Sequence, residues 1–203
     1  MAIKDDVRAL KRERILEQAI ALFSENGFRA TSLDAIARTM DVTKPFVYGV
    51  YDKKTDILVD IYLRTVHKSL ATIESAHTIE GTAIDKLSWF ARTFTEVVIA
   101  ERAAVAVYFQ EEPSVPIEDR RRINDLKSRF DDLLASLLRE GMDSRHFFID
   151  DVRMATLAIG GMMNWIYTWY SPAGRLTSEV IAQHMADYAL RIVGAAPAPS
   201  SGR

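Results

Sequence analysis

The sequence contains no cysteine, so it can form neither a disulfide framework nor a cysteine-based zinc finger, and it has no thiol chemistry. It also lacks any apolar run close to the roughly 20 residues that cross a bilayer. The opening residues MAIKDDVRALKRER carry charges throughout and contain no apolar signal core. These absences predict a cytoplasmic protein that binds no membrane.

The sequence also lacks a large excess of either positive or negative charge. Lys and Arg total 26 and Asp and Glu total 28, for a net charge of −2. Residues 1–58 hold ten basic and nine acidic side chains, a net of +1. Affinity for a nucleic acid follows the local patch rather than the whole-chain charge. Any binding of DNA must therefore depend on the placement of a few side chains.

The sequence signatures of common catalytic and metal sites are missing as well. The four histidines include no i, i+4 pair, and there is no nucleophile elbow and no glycine-rich phosphate loop. Glu111-Glu112, and His146 with Asp150-Asp151, leave a helical enzyme as a remote alternative. We interpret these residues as surface charge, loop residues and helix caps, and we predict no catalytic residue, no metal site and no required cofactor.

Helical periodicity, in contrast, is abundant. Apolar residues repeat with the spacing of one helical face in almost every segment, as in Leu33, Ile36, Ala37 and Met40. No segment alternates with period two between hairpin turn residues. The fold is therefore predicted to be all-α.

Capping residues divide the first part of this pattern into short helices. Gly27 is expected to end the first helix in a left-handed conformation. Thr31 or Ser32 is expected to cap the second helix, and Thr43 a third that has Pro45 in its opening turn. The helices after residue 54 are long. This change predicts a small domain over residues 1–54, a helical bundle over 55–194 and a disordered tail over 195–203.

The strongest functional pattern is TSLDAIARTMDVTKPFVYGVYDKKTDIL, residues 31–58. A two-turn helix, a three-residue turn and a short second helix predict a helix-turn-helix, whose second helix can lie in the major groove of DNA. Thr43, Lys44 and Phe46 can then meet base edges or phosphates, and Tyr48 and Lys54 can contact phosphates. On periodicity alone, an amphipathic helical hairpin with solvated lysines stays open as an alternative.

The segment GFRATSLDAIARTMDVTKPFVYGVYDKKTDIL closely resembles the TetR family of bacterial transcriptional regulators. The family pattern runs from Gly-Phe through T-[TS]-[VLM]-x-x-[IL]-A and [ST]-K to [LV]-Y-x-[YHV]-[FY]-x-x-K. Asp41 departs from it, because Gly or Ala is usual there and a carboxylate near the turn should repel phosphate unless it caps the third helix. Lys53 and Tyr51 are smaller departures. The resemblance implies a DNA-binding set consisting of Ser32, Thr43, Lys44, Pro45, Phe46, Tyr48 and Lys54, with further contacts from Arg8, Lys11 and Arg12.

The same resemblance implies that residues 55–194 bind a small-molecule effector and form a homodimer through the last two helices. The stretch Asp151–Tyr170 supports this, because it reads as one helix that is apolar around nearly its whole circumference and so must be covered on more than one side. We expect Gly160-Gly161 to mark a close backbone approach. The predicted effector pocket is lined by Trp89, Phe90, Phe94, Tyr108, Phe109, Met162, Trp165, Trp169 and Tyr170.

Four further segments resemble one TetR subgroup, the repressors of fatty-acid, steroid-side-chain and related acyl catabolism. They are YFQEE at 108–112, the dipeptide EG at 140–141, residues 147–153, and NWIYTWYSPAGRLTSEVIA at 164–182. Inducers of that subgroup are coenzyme A thioesters. The resemblance therefore implies an acyl-CoA effector, with Trp165, Trp169 and Tyr170 near the ligand or its entrance.

Together these patterns predict a homodimeric, ligand-responsive repressor that binds a palindromic operator in double-stranded DNA and is released by an acyl-CoA. A drug-sensing regulator of an efflux gene remains the main alternative, since it would have the same DNA-binding head and an aromatic pocket for lipophilic cations. Few carboxylates are predicted to be buried beside such a cation, which favours an acyl ligand.

Overall fold

The structure is a computed structural model that describes residues 2–195, with side chains described from Asp6 onward. This part of the chain contains helices and no strand, so the all-α prediction is confirmed. A single 3-10 turn covers Glu112–Ser114. The helices are α1 Ala2–Asn26, α2 Leu33–Thr39, α3 Lys44–Tyr48, α4 Lys54–Thr78, α5 Ala83–Ala100, α6 Arg102–Gln110, α7 Ile117–Asp143, α8 Val152–Asn164, α9 Ile166–Trp169 and α10 Ser178–Ile192.

The backbone forms two compact units. The first consists of the chain up to Thr65 together with Ala103–Ile123, and the second consists of Val66–Arg102 together with the chain from Asn124 onward. The predicted functional boundary after residue 54 therefore lies inside the first unit, and it stays a prediction about roles. Of the predicted tail, Ala195 is described and donates its N–H to Leu190 O, whereas residues 196–203 lie outside the described residues.

Local capping explains where the short helices of the first unit begin and end. Gly27 has φ of +82° and donates its N–H to Phe23 O, which closes α1 with a left-handed residue as predicted. Ser32, rather than Thr31, is the N-cap of α2, and its Oγ accepts from Ala35 N at 3.1 Å. Thr31 is buried and donates its hydroxyl to Gly27 O instead.

The second unit is built around α5, which packs against α8, α9 and α10. Thr82 and Asp85 form a capping box at the start of α5, and the bonds from Thr82 hold the pKa of the Asp85 carboxyl below its usual value. Phe90 and Phe94 stack at 5.5 Å, and the Phe94 ring lies 5.4 Å from that of Phe130 in α7. These fully or nearly buried rings anchor the α5–α7 contact.

The prediction of one helix over Asp151–Tyr170 is wrong, because the stretch breaks at Trp165 into α8 and α9. Asp151 is the N-cap of α8, and Trp165 O accepts from Thr168 N in a tighter, three-residue turn. Apolar periodicity cannot detect this break, since the residues on both sides of it are equally apolar.

Gly160 and Gly161 do not mark a close backbone approach within the chain. A Cβ built on either residue meets no other atom within 4 Å. The expected reason for these glycines is therefore wrong for a single chain. Gly161 is also exposed, so its lack of a side chain leaves open space on the outer side of α8.

None of the described helices is long and apolar enough to traverse a bilayer.

Gly141→Ala should destabilise the second unit. A Cβ on Gly141 would overlap the ring of Phe147, which is 2% exposed and packed against the end of α7. We expect the free energy of unfolding to fall by about 1–3 kcal/mol, the usual cost of overpacking, measured by chemical denaturation. Gly160→Ala is the matched control, because its Cβ meets nothing and alanine favours the helix by up to about 1 kcal/mol. Equal stability of the two variants would contradict this assignment.

Candidate DNA-binding surface and effector domain

The turn between α2 and α3 is a Schellman motif. Val42 N donates to Ala37 O at 3.0 Å and Asp41 N donates to Arg38 O at 3.1 Å, while Asp41 has φ of +52°. The position after the C-cap Met40 thus requires a left-handed residue, which explains why glycine is common there and how aspartate can replace it. Asp41 does not cap α3, whose N-cap position is occupied by Thr43.

Helix α3 is anchored on its inner side and open on its outer side. Val47 is fully buried, whereas Thr43, Lys44 and Pro45 are exposed and Tyr48 is 46% exposed. Thr43 makes no capping bond with its side chain, and Pro45 lies in the first turn as predicted. The amino-terminal part of α3 therefore presents polar side chains in the manner of a recognition helix.

Two other members of the predicted DNA-binding set are partly engaged in the fold. Phe46 is half-buried, and the Lys11 ammonium lies 5.0 Å from the centre of its ring, within the range of a cation–π contact. Ser32 is exposed but uses its Oγ to cap α2. Contact of these two residues with DNA stays a prediction.

Asp34 links the two polar side chains at opposite ends of α3. Its Oδ2 lies 2.6 Å from Lys44 Nζ, and its Oδ1 accepts from the Tyr48 hydroxyl at 3.2 Å. The bond from Lys44 holds the pKa of the Asp34 carboxyl below its usual value, and the same bond raises the pKa of the Lys44 ammonium. The sequence pattern predicted Lys44 and Tyr48 as DNA-binding residues, but it did not indicate that the Asp34 carboxylate binds both of them.

Lys54 has a structural role that the sequence did not suggest. Its ammonium donates to Phe28 O at 2.7 Å, Thr31 O at 2.9 Å and Arg29 O at 3.1 Å, and it lies 4.5 Å from the centre of the Phe28 ring. An ammonium has three donors, so these carbonyls use all of them. A phosphate could bind this group only by displacing them, and the side-chain contact predicted for Lys54 does not fit this geometry.

A buried carboxylate in α4 organises the contact between α1 and α4. Asp60 is 8% exposed and accepts hydrogen bonds from the Arg12 guanidinium and the Tyr51 hydroxyl. Asp60 raises the pKa of Arg12, and burial raises the pKa of the Tyr51 phenol. The sequence offers one sign of this site, since Asp60 interrupts the apolar spacing of Ile57 and Ile61. Arg12 is thereby bonded to Asp60 although its side chain is 55% exposed, and Arg8 is exposed as well.

The predicted effector residues of the second unit differ sharply in burial. Phe90 and Phe94 are in the core, Trp89 and Met162 are half-buried, and Trp165 is 62% exposed. Trp169 is 48% exposed. Tyr170 is half-buried, and its carbonyl accepts from Arg102 Nη1 at 2.5 Å. The hydroxyl oxygen of Thr95, in the same helix as Phe90 and Phe94, is buried without a hydrogen-bond partner.

Tyr108 and Phe109, the other predicted lining residues, belong to the first unit. The Tyr108 ring lies 4.6 Å from that of Tyr62 and 5.2 Å from that of Phe109, and the Tyr62 hydroxyl donates to Tyr108 O. Burial raises the pKa of Tyr62. The nine residues therefore form distinct groups in two units, and a shared ligand contact stays a prediction.

Family models match most of the chain. Residues 15–61 match the bacterial regulatory proteins of the tetR family, and residues 80–193 match the tetracyclin repressor-like C-terminal domain. The chain belongs to the TetR family. It is a ligand-responsive, DNA-binding transcriptional repressor, and its family consists of regulators rather than the enzymes considered as an alternative. Among residues 2–195, no group of three His, Asp or Glu side chains could hold a metal ion.

Individual relatives agree with the family models over most of their length. The HTH-type transcriptional repressor KstR2 of Rhodococcus jostii is 27% identical over 85% of this chain and 86% of its own. The fatty acid metabolism regulator protein of Bacillus subtilis is 24% identical over 78% and 83%. PfmR of Thermus thermophilus superposes with a TM-score of 0.81 at 29% identity, covering 88% of this chain and 97% of its own.

Lys54→Met should lower stability more than it lowers the affinity for DNA. Methionine keeps the aliphatic stem but removes the ammonium from three carbonyls, of which Phe28 O keeps a bond from Thr31 N, and we expect this loss to cost about 1–3 kcal/mol in the free energy of unfolding. Lys53→Met is the matched control, since Lys53 is exposed and the bond it makes to Asp56 uses its backbone N–H. If Lys54→Met left thermal unfolding unchanged and only weakened DNA binding, the phosphate contact suggested by the sequence would be correct.

Proposed function

We propose that this repressor acts as a homodimer, binds a palindromic operator with one α3 helix per subunit, and leaves it when an acyl-CoA thioester binds the second unit. The observation that carries the proposal is the outer face of α3. Lys44 and Tyr48 lie exposed one turn apart over the buried Val47, in a helix-turn-helix of the family. This is the arrangement that reads the major groove.

The contacts to DNA follow from the chemistry of that face. Thr43 and Lys44 begin α3, where a hydroxyl and an ammonium can reach base edges, and the Tyr48 hydroxyl can donate to a phosphate. In a dimer the two α3 helices would lie about 34–36 Å apart, one turn of DNA. Bound effector would favour a state with a different spacing and so lower the affinity for the operator.

An apolar strip on α8 and α10 supports a second copy of the chain as the dimer partner. Met154 and Leu157 are 61% and 50% exposed and share one side of α8 with Gly161, and Trp165, which is 62% exposed, follows at the C-cap of that helix. On α10, Val180 and Tyr188 are 41% and 42% exposed. Large apolar side chains grouped in this way usually mark an interface, and the absence of a side chain at Gly161 would allow the partner's backbone to approach.

Three observations support an acyl-CoA as the effector. A relative by sequence is a regulator of fatty acid metabolism, and AibR, which has the same fold, has been crystallised with isovaleryl coenzyme A and operator DNA. In the second unit, the buried polar side chains among the described residues are Thr72, Thr95 and Thr156. None of these three side chains carries a charge that could pair with a buried cation, so this interior suits an acyl chain better than a cationic drug.

The effector test is a titration of the protein on its operator, selected in vitro from a random duplex pool. Short-chain and long-chain acyl-CoAs should lower operator affinity by about tenfold, a typical coupling between two sites, as measured by fluorescence anisotropy. Free CoA, the matching free acids and a quaternary ammonium compound are controls. A double variant, Lys44→Ala with Tyr48→Phe, should lose operator binding. If no acyl-CoA changes the affinity, the proposed effector class is wrong.

The dimer test uses Leu157→Asp. A carboxylate buried between two copies of α8 would be strongly unfavourable, so we expect sedimentation velocity to show a monomer at micromolar concentration. Ile117→Asp is the control, because Ile117 is 80% exposed but belongs to the first unit and should leave the dimer intact. A dimer that persists in Leu157→Asp would contradict this interface.

A further inference from the structure

We propose that Asp34 is an internal substitute for a DNA phosphate, which occupies Lys44 and Tyr48 of α3 in the free protein and thereby lowers the affinity of the protein for DNA of any sequence. This role deepens the proposed function, and it rests on the use of α3 as the recognition helix. Asp34 thus limits the strength of DNA binding, and it acts through Lys44 and Tyr48.

The geometry of the Asp34 carboxylate resembles that of a phosphate. Its two oxygens accept from two different groups, Lys44 Nζ at 2.6 Å and the Tyr48 hydroxyl at 3.2 Å. Lys44 and Tyr48 are the first and last residues of α3, one turn apart on the same side. One anion with two acceptor oxygens therefore spans the turn of the helix that would otherwise face a phosphate with two free oxygens.

The pair is placed so that DNA can replace it. The Lys44 side chain is 65% exposed and that of Asp34 is 31% exposed, and ion pairs in such positions are weak because water and salt screen them. Asp34 is itself held in place in the first turn of α2, where a carboxylate is favoured by the helix dipole. Lys44 can therefore move to DNA while Asp34 remains beside α3.

The charge balance explains how this exchange lowers affinity. Non-specific affinity comes from the cations that DNA releases when basic residues neutralise its phosphates. When Lys44 moves from Asp34 to a phosphate, the uncovered carboxylate attracts a cation again, so the net release is smaller. This loss applies to every sequence, the operator included, so it cancels in the ratio of specific to non-specific affinity. Asp34 consequently weakens DNA binding in general, and base contacts must supply the specificity.

The test compares Asp34→Asn with the full-length wild-type protein on a labelled duplex of random sequence, about 30 base pairs long, over a series of salt concentrations. We expect the non-specific dissociation constant to fall at least threefold at low salt. The slope of log affinity against log salt should steepen by up to about one per subunit, because the cation released at the phosphate is no longer offset by one attracted to Asp34. Affinity for the selected operator should rise by a similar factor, since Lys44 leaves Asp34 on both duplexes. Asp34→Ser, checked for folding by circular dichroism, should behave in the same way.

Asp41→Asn is the matched control, because it removes one negative charge from the same motif. Its left-handed position accepts asparagine, and the Lys44 ammonium is bonded to Asp34 instead. A double-mutant cycle with Lys44→Ala completes the test: the gain from Asp34→Asn should disappear when Lys44 is absent. Equal gains from Asp34→Asn and Asp41→Asn, or a gain that persists without Lys44, would overturn the proposal. A folded wild-type protein that binds neither duplex would overturn the use of α3 as well.

Discussion

The position of the helix-turn-helix depends on the three carbonyl groups that Lys54 holds. Phe28, Arg29 and Thr31 lie in the link between α1 and α2, outside the hydrogen-bond ladder of either helix, and Phe28 O also accepts from Thr31 N. A single ammonium at the start of α4 satisfies all three, and the Phe28 ring covers it. The same link donates Phe28 N to Glu111, so residues far apart in the sequence meet at this point.

Features that depend on neighbouring residues could be predicted from the sequence. Gly27 closes α1, Ser32 caps α2 and Pro45 opens α3, because each acts within one helical turn. The role of Lys54 could not be predicted in this way, since its partners lie 23 to 26 residues earlier in the chain. The break at Trp165 was missed for a different reason, because a change from an α-turn to a tighter turn leaves the apolar pattern intact.

The predicted effector residues also show that contacts within one helix can be predicted from the sequence, whereas packing between helices cannot. Phe90 and Phe94 are four residues apart on one helix, so their contact follows from helical spacing. Periodicity also indicates that α8 is apolar on several sides, but it does not distinguish the buried side from the side left exposed at Leu157 and Trp165. That distinction is set by which helices pack against α8, and the packing leaves the exposed side available for a partner.

The helix-turn-helix region thus combines a low net charge with basic side chains that already have partners within the protein. Lys44 is paired with Asp34, Arg12 with Asp60, and Lys11 with the Phe46 ring, while Lys54 is bonded to carbonyls. Such a region gains little binding free energy from contact with an arbitrary phosphate, because each of these internal contacts must first be broken. Strong binding therefore requires base contacts that offset the exchange, so a nearly neutral surface makes binding depend on base contacts rather than on phosphate contacts alone.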